Sequence, residues 1–147
     1  MQRAFVQTGV PTAQCDVLEN YSQLAAIHWN SAKVIKPTIG SGSKFVQYFD
    51  KRPKLNDYPF DFNNKNYLVE EFIPGDEIAI DGFVIGGEVH TLAISCKERS
   101  ELPYLLDTKL YIQAYDPQRD SQLANIAKLV CEDVKIDNCQ CHLEVIN

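Results

Sequence analysis

The sequence contains no long hydrophobic run. Its apolar stretches are short and interrupted, so no segment approaches the roughly 20 residues that a membrane-spanning helix needs. The first residues, Met1–Val6, also lack the long apolar core of a secretory signal peptide. Neither a membrane protein nor a secreted one is indicated.

The cysteines lack the pattern of a disulfide framework. There are five of them, an odd number at irregular spacing, which indicates a reducing cytoplasm rather than a secreted domain. Cys139, Cys141 and His142 have no second ligand pair, so a zinc site is not predicted. Cys96 and Cys131 lie in apolar surroundings that are typical of small core residues.

The sequence also lacks a basic stripe, and its net charge of −6 argues against nucleic-acid binding. The charge is uneven: residues 1–66 carry 8 Lys and Arg against 5 Asp and Glu, whereas residues 67–147 carry 6 against 15. This asymmetry suits a site where phosphates meet basic groups and an acid-bound metal. An uneven solvated surface would explain it equally well.

The length and composition predict a globular α+β protein. A chain of 147 residues with 45% hydrophobic and 23% charged residues can bury a real core. Asn20 and Gln23 have the spacing of a capping box, which begins a helix expected to reach about Trp29. A second amphipathic helix is expected from Asp120 or Ser121 to Val134. A helix end is expected at 2–8, strands at 15–18, 32–39, 44–49, 67–73, 77–85, 88–96, 110–114 and 139–146, and irregular segments at 51–66 and 98–109.

Lys36 ends an apolar strand and is followed by a loop of glycine and serine. A half-buried lysine is costly without an anionic partner. Glycines let backbone N–H groups approach phosphate oxygens, and serine hydroxyls add donors. A plain hairpin turn is the alternative, because the spacing is neither the P-loop nor the dinucleotide pattern. The loop residues are Gly40, Ser41, Gly42 and Ser43.

Four carboxylates stand in or beside apolar strands. Glu70 and Glu71 are adjacent, so on a strand they face opposite sides, and Glu77 follows a Pro-Gly turn. A carboxylate accepts hydrogen bonds well from ribose hydroxyls, although each glutamate alone is typical of a surface. Glu144 lies in an apolar strand, where alternation places it on one face with His142. A carboxylate in such a strand needs a partner, and Mg²⁺ is a suitable one.

These segments together resemble the ATP-grasp superfamily, most closely its carboxylate–amine ligases such as the L-amino-acid ligases. The resemblance covers nearly the whole chain. It rests mainly on Val34-Ile35-Lys36-Pro37 with its Gly/Ser loop, followed in order by the segment 70–77, Glu-Glu-Phe-Ile-Pro-Gly-Asp-Glu. Gly9–Thr12 and His142–Val145 are weaker matches that extend it.

The resemblance implies an ATP-grasp fold, in which two α+β lobes grip a nucleotide between antiparallel sheets. Residues 1–19 would be the remnant of a linker or preceding domain, 20–73 the small lobe and 74–147 the large lobe, incomplete at its C-terminus. The implied cofactors are ATP and Mg²⁺. For the phosphates, Lys36 would contact the α- and β-phosphates, the loop of Gly40, Ser41, Gly42 and Ser43 would cover the triphosphate, and Lys97 would lie near the γ-phosphate or substrate. For the nucleoside, Glu70 would meet the adenine amino group, the backbone of Glu71, Phe72 and Ile73 would hold the adenine, and Glu77 would bind the ribose. Glu144 would be the first Mg²⁺ carboxylate.

The resemblance also implies parts that lie outside this sequence. In the family, a second acidic metal ligand in a Glu-x-Asn pattern follows the position of Glu144, and a substrate domain and a further lysine precede the position of residues 2–8. The expected partners are small-molecule carboxylates and amines such as amino acids, with no nucleic acid and no membrane, while the sequence leaves the oligomeric state open. The predicted function is the ATP-binding core of an amide-forming ligase that acts through an acyl phosphate and is inactive as this fragment alone. The alternative is a non-catalytic nucleotide-binding or interaction module that retains the fold.

Overall fold

The structure is a computed structural model that describes residues 2–147. Its contacts divide the chain into two compact units. The first unit comprises the described residues up to Thr12 together with Gly75–Glu98 and Lys109–Asn147, and the second comprises Ala13–Pro74 and Arg99–Thr108. The lobe boundaries implied by the family resemblance differ from these units at 13–19, at Pro74 and at 99–108, and the described residues up to Thr12 belong to the first unit instead of a separate linker. The assignment of lobes to units stays a prediction.

The elements alternate between strands and a few helices, as expected for an α+β protein. Two four-stranded sheets are formed, and the strand pairs β1–β4, β2–β4, β2–β3, β5–β6 and β5–β8 are all antiparallel. The elements are α1 Gln2–Gln7, β1 Cys15–Leu18, α2 Tyr21–Ala26, β2 Lys33–Pro37, β3 Gln47–Phe49, a 3₁₀ helix Leu55–Asp57, β4 Tyr67–Glu71, β5 Glu77–Ile85, β6 Glu88–Arg99, β7 Asp107–Ile112, α3 Pro117–Asp133 and β8 Cys139–Ile146.

The second unit is built on the sheet of order β1-β4-β2-β3. Its core is rich in aromatic rings, and Tyr67 in the central strand β4 packs edge-on against Tyr58, Phe60 and Phe62 at centroid distances of 5.1–5.5 Å. Edge-to-face contacts of this kind add to the gain from apolar burial. The buried residues of this core are Leu18, Leu24, Ile27, Ile35, Tyr58, Tyr67 and Val69.

The sheet of order β7-β6-β5-β8 separates an apolar face from a charged one. Ile78 and Ile80 of β5 pack with Ile94 of β6 and Leu123 of α3. Because side chains alternate along a strand, Glu77 in β5 and the other residues of that parity point to the opposite face. The folding of the first unit therefore places carboxylates together on one surface of this sheet.

Several predicted element boundaries are confirmed and several are wrong. The capping box of Asn20 and Gln23 is present, but α2 ends at Ala26 because Ile27 is already extended. The second long helix begins earlier than predicted, at Pro117, since the Asp116 side chain accepts the backbone N–H groups of Gln118 and Arg119. The prediction that 98–109 is irregular is wrong at both ends of that segment, because β6 and β7 extend into it. The strands β2 and β4 are shorter than predicted.

Within the described residues, no helix is both long and apolar enough to cross a membrane. The cysteines of this part of the chain form no disulfide bond, and Cys131 lies in a small core with Val84 and Cys141. Cys141 and His142 point to opposite faces of β8, one buried and the other exposed.

Ser95 carries a buried hydroxyl without a hydrogen-bond partner among the described residues, and its side chain is almost fully inaccessible. Ser95→Ala should therefore raise the free energy of unfolding by about 1 kcal/mol, because an unpaired buried donor costs its desolvation energy. Ser100→Ala is the matched control with the opposite expected sign, since the Ser100 hydroxyl donates to the Tyr104 carbonyl and accepts from the Leu106 N–H. Urea denaturation of both variants checks this. Destabilisation by Ser95→Ala would show that the hydroxyl is in fact satisfied.

Candidate functional site

In the second unit, Lys36 and Glu70 form an ion pair. Lys36 in β2 and Glu70 in β4 lie on adjacent strands, with the Lys36 ammonium 2.6 Å from a Glu70 carboxylate oxygen. Both side chains are partly accessible, at 36% and 17% of their surface. Glu71 points away and is exposed, as strand alternation predicted. The lysine and the carboxylate that the sequence singled out are thus brought together, and both remain reachable by a ligand.

The Gly/Ser loop between β2 and β3 is exposed and tightly turned. Gly42 and Ser43 adopt positive φ angles of 62° and 54°, and so does Phe45 at 65°. The loop closes through the N–H of Lys44 to the carbonyl of Ser41 and the N–H of Val46 to that of Ser43. Among the described backbone hydrogen bonds outside helices and strands, none uses an N–H group of residues 40–43 as donor. These amides are therefore available to an anion.

The last residue of β4 and the residue after it both use their backbone amides within the second unit. The N–H of Glu71 donates to the carbonyl of Gln14, and the N–H of Phe72 donates to that of Ala32. The Phe72 ring also packs edge-on against Tyr48 at 4.8 Å. The Ile73 amide has no such bond among the described loop contacts, so it is the one of the three that a ligand can meet.

In the first unit, Lys97 is the centre of a charged cluster. Its side chain is only 6% exposed, and its ammonium lies 2.8 Å from Glu77 and also bonds Glu144. Glu77 and Lys97 are register partners on β5 and β6. Glu144 lies beyond them on β8 opposite Ala79, whose small, fully buried side chain leaves room for the lysine to reach across. One buried cation therefore holds two carboxylates.

The two carboxylates of this cluster are close together and differ in accessibility. One oxygen of Glu77 lies within 4.8 Å of one oxygen of Glu144. The Glu77 side chain is 12% exposed and that of Glu144 is 48% exposed. Burial opposes ionisation of Glu144, but its hydrogen bonds to Lys97 and His142 outweigh burial and lower the pKa of this carboxyl. Glu144 is therefore anionic at neutral pH, as a metal ligand must be.

His142 extends the cluster to a third carboxylate. Its Nδ1 lies 2.7 Å from an Asp81 oxygen and its Nε2 lies 3.3 Å from Glu144. The hydrogen bond to Asp81 is the main cause that raises the pKa of His142, against the opposing effect of burial. Strand alternation in the sequence predicts that His142 and Glu144 share one face, but it does not predict the contact with Asp81. The register of β5 against β8, which pairs Asp81 with His142, is the signal that identifies it.

Comparison with known proteins relates the chain to a protein family. Residues 29–147 match the family model of the ATP-grasp domain. No curated protein matches the chain.

Solved structures of ligases and synthetases share the fold of this chain. L-amino acid ligase from Bacillus licheniformis is 22% identical with a TM-score of 0.81, covering 98% of this chain and 37% of the ligase. An ADP complex of N5-carboxyaminoimidazole ribonucleotide synthetase is 14% identical with a TM-score of 0.77, covering 99% and 39%. D-alanine–D-alanine ligase from Bacillus anthracis, complexed with ATP, is 14% identical with a TM-score of 0.68, covering 99% and 46%. The chain thus spans less than half the length of each of these proteins.

Proposed function

The chain belongs to the ATP-grasp family, and we propose that it is the nucleotide-binding core of an ATP-dependent carboxylate–amine ligase. The observation that carries the proposal is the Lys97 cluster, in which a buried ammonium and two carboxylates share one face of a sheet. Such a set offers one cation for a phosphate and two anions for a ribose and a metal. The ATP and ADP complexes among the structures of similar fold support the same ligand class.

The second unit supplies the contacts proposed for the phosphates and the base. Lys36 neutralises the α- and β-phosphates, and the open amides of Gly40, Ser41, Gly42 and Ser43 cover the triphosphate. Glu70, now paired with Lys36, accepts from the adenine amino group. Of the backbone from Glu71 to Ile73, the amide of Ile73 donates to the base, because those of Glu71 and Phe72 are already bonded. Residues 20–73, the proposed small lobe, all belong to the second unit.

The first unit supplies the contacts proposed for the ribose, the metal and the transferring phosphoryl group. Glu77 accepts hydrogen bonds from the ribose hydroxyls, and Glu144 provides a carboxylate ligand for Mg²⁺. Lys97 lies between them and meets the γ-phosphate or the substrate. Two observations support these roles. Each residue occupies the position that the family resemblance assigns to that role, and the three side chains meet on one face of the sheet.

The donor set fits a magnesium ion. Mg²⁺ favours hard oxygen ligands and binds through one or two carboxylates together with phosphate oxygens. Glu144 is anionic and half-exposed, and an oxygen of Glu77 is nearby. Bound Mg²⁺ would neutralise charge on the phosphates and favour transfer of the phosphoryl group. In this proposal, the residues of the chain position the metal and the phosphates and neutralise their charge, and none acts as a covalent nucleophile.

The reaction proposed for the whole protein has two steps. An oxygen of the substrate carboxylate attacks the γ-phosphorus of ATP, so that a new P–O bond forms, the bond to the bridging oxygen breaks, and ADP leaves with an acyl phosphate formed. The nitrogen of an amine then attacks the acyl carbon, phosphate departs, and the nitrogen loses a proton to give an amide. Lys97 and Lys36 stabilise phosphate charge in the first step. Amino acids are the proposed substrate class, and described cysteines that form no disulfide bond suit the cytoplasm as location.

Lys36→Ala tests the nucleotide site. Losing a charge-assisted hydrogen bond of about 1.5–3 kcal/mol should weaken ATP binding roughly tenfold to 150-fold in calorimetric titrations. Lys51→Ala is the matched control, because it removes the same charge from an exposed position of the same unit. Equal affinity in the Lys36 and Lys51 variants would contradict the assignment of Lys36.

Turnover distinguishes a ligase from a binding module. ADP release with mixed amino acids is measured on this chain and on a longer protein that contains it. Amino-acid-dependent ADP release by the longer protein supports the ligase. Nucleotide binding without hydrolysis by either would favour a non-catalytic module that retains the fold.

A further inference from the structure

Glu144 is held on one side by a pair of residues that have no role so far. His142 contacts Asp81 through Nδ1 at 2.7 Å and Glu144 Oε1 through Nε2 at 3.3 Å. Asp81 and His142 are register partners on β5 and β8, so their side chains leave the same face of the sheet. The shorter of the two contacts anchors the imidazole to Asp81, and the longer one reaches the carboxylate.

Both donors to Glu144 meet the same oxygen. Lys97 Nζ and His142 Nε2 each contact Oε1, and neither contacts Oε2 in the described structure. A carboxylate offers lone pairs on both of its oxygens. With Oε1 occupied by two donors, Oε2 is the oxygen that keeps its lone pairs for a cation.

The strand pairing changes directly beside Asp81. The register of β5 against β6 shifts between Asp81 and Gly82, which is a β-bulge. At Gly82 an added Cβ would lie 2.5 Å from the carbonyl oxygen of His90, so only glycine allows the strands to approach this closely. The extra residue of the bulge, Leu92, lies on β6, and Asp81 is the last residue of β5 before the shift. It is this aspartate that meets the imidazole.

We propose that Asp81 and His142 are positioning residues for the metal carboxylate. They hold Oε1 of Glu144 so that Oε2 faces the magnesium ion. This inference rests on the proposed function, because it takes Glu144 as a Mg²⁺ ligand. Outer partners that orient a metal ligand typically change metal affinity by 10- to 100-fold when they are removed, without touching the metal.

The test separates metal affinity from nucleotide affinity. The whole chain is titrated with the ATP analogue AMP-PNP, first with EDTA and then at increasing MgCl₂, and Mn²⁺ alone is titrated in parallel. His142→Ala should raise the Mg²⁺ concentration for half-maximal effect about tenfold and weaken Mn²⁺ binding similarly. Its AMP-PNP affinity in EDTA should equal that of the unaltered chain. Asp81→Ala should shift the Mg²⁺ dependence in the same direction by a smaller factor.

Two variants make the result specific. His142→Gln keeps an amide donor near the position of Nε2 and should restore most of the Mg²⁺ dependence. His90→Ala, which removes an exposed histidine from the neighbouring strand, should behave like the unaltered chain. An unchanged Mg²⁺ dependence in His142→Ala, or an equal loss of AMP-PNP affinity in EDTA, would overturn this inference and leave the nucleotide site standing. Failure of the unaltered chain to bind either probe would overturn both.

Discussion

Replacing Lys97 with methionine is expected to lower the free energy of unfolding by about 3 kcal/mol. The ammonium is buried and holds both Glu77 and Glu144. Methionine has a similar stem but no charge, so both carboxylates would lose their contact with the ammonium of Lys97. The Glu77 carboxylate, at 12% exposure, cannot recover full hydration, whereas the half-exposed Glu144 carboxylate partly can. The expected loss of stability is therefore near the lower end of the range for a broken buried ion pair. Urea denaturation followed by circular dichroism measures it.

Lys109→Met is the matched control for this prediction. Lys109 pairs with Glu98 at 3.3 Å, but both side chains are largely exposed, at 61% and 49%. An exposed pair contributes little, so the change should stay within about 0.5 kcal/mol of zero. Added Mg²⁺ should stabilise the Lys97 variant more than the unaltered chain, because a divalent cation can bridge the released carboxylates. Equal effects of the two substitutions would contradict the central place of Lys97 in the cluster.

Tyr67→Ala is expected to cost about 3–5 kcal/mol in the second unit. Tyr67 is 2% exposed in the middle of the aromatic core, and its hydroxyl accepts the N–H of Asp61 at 2.7 Å. Removing the ring opens a cavity among Tyr58, Phe60 and Phe62 and leaves that N–H without its partner. The fluorescence of Trp29, the single tryptophan, which packs against this core, reports the unfolding of this unit in urea.

Two further substitutions separate the ring from the hydroxyl. Tyr67→Phe removes only the acceptor and should cost about 1 kcal/mol. Tyr115→Ala removes a ring that is 80% exposed and should change stability by no more than about 0.5 kcal/mol. If Tyr67→Ala were no more costly than Tyr67→Phe, the aromatic rings would not form the packed core that the structure shows.

Local signals in the sequence predicted much of the fold. The bounds of β1, β5 and β8 are confirmed, because short apolar segments between turn signals define them. The helix α3 begins earlier than its apolar periodicity predicts, because the first turn is polar and carries no such period. Asp116 followed by Pro117 is nevertheless a normal helix start. The strand β3 is shorter than predicted since Ser43 and Phe45 take positive φ angles that no strand pattern reveals.

The charged contacts could be predicted only in part. Alternation within β8 correctly placed His142 and Glu144 on one face, because it depends on a single strand. The contact of Lys97 with Glu144 depends on the register of three strands and on the small side chain of Ala79 between them. The pairing of Asp81 with His142 likewise requires the register of two strands far apart in the sequence. Spacing along the chain does not determine such registers.

The central claim, that these residues form a nucleotide site, is tested most directly by nuclear magnetic resonance. The ¹⁵N-labelled chain is titrated with ATP and Mg²⁺, and the amide signals are followed residue by residue. Saturable shifts are predicted at Gly40–Ser43 and Ile73, because their open amides meet the phosphates and the base. The amides of Glu71 and Phe72 are already bonded within the protein, so their signals should shift less. An absence of saturable shifts at Gly40–Ser43 and Ile73, or shifts confined to other parts of the chain, would contradict the claim.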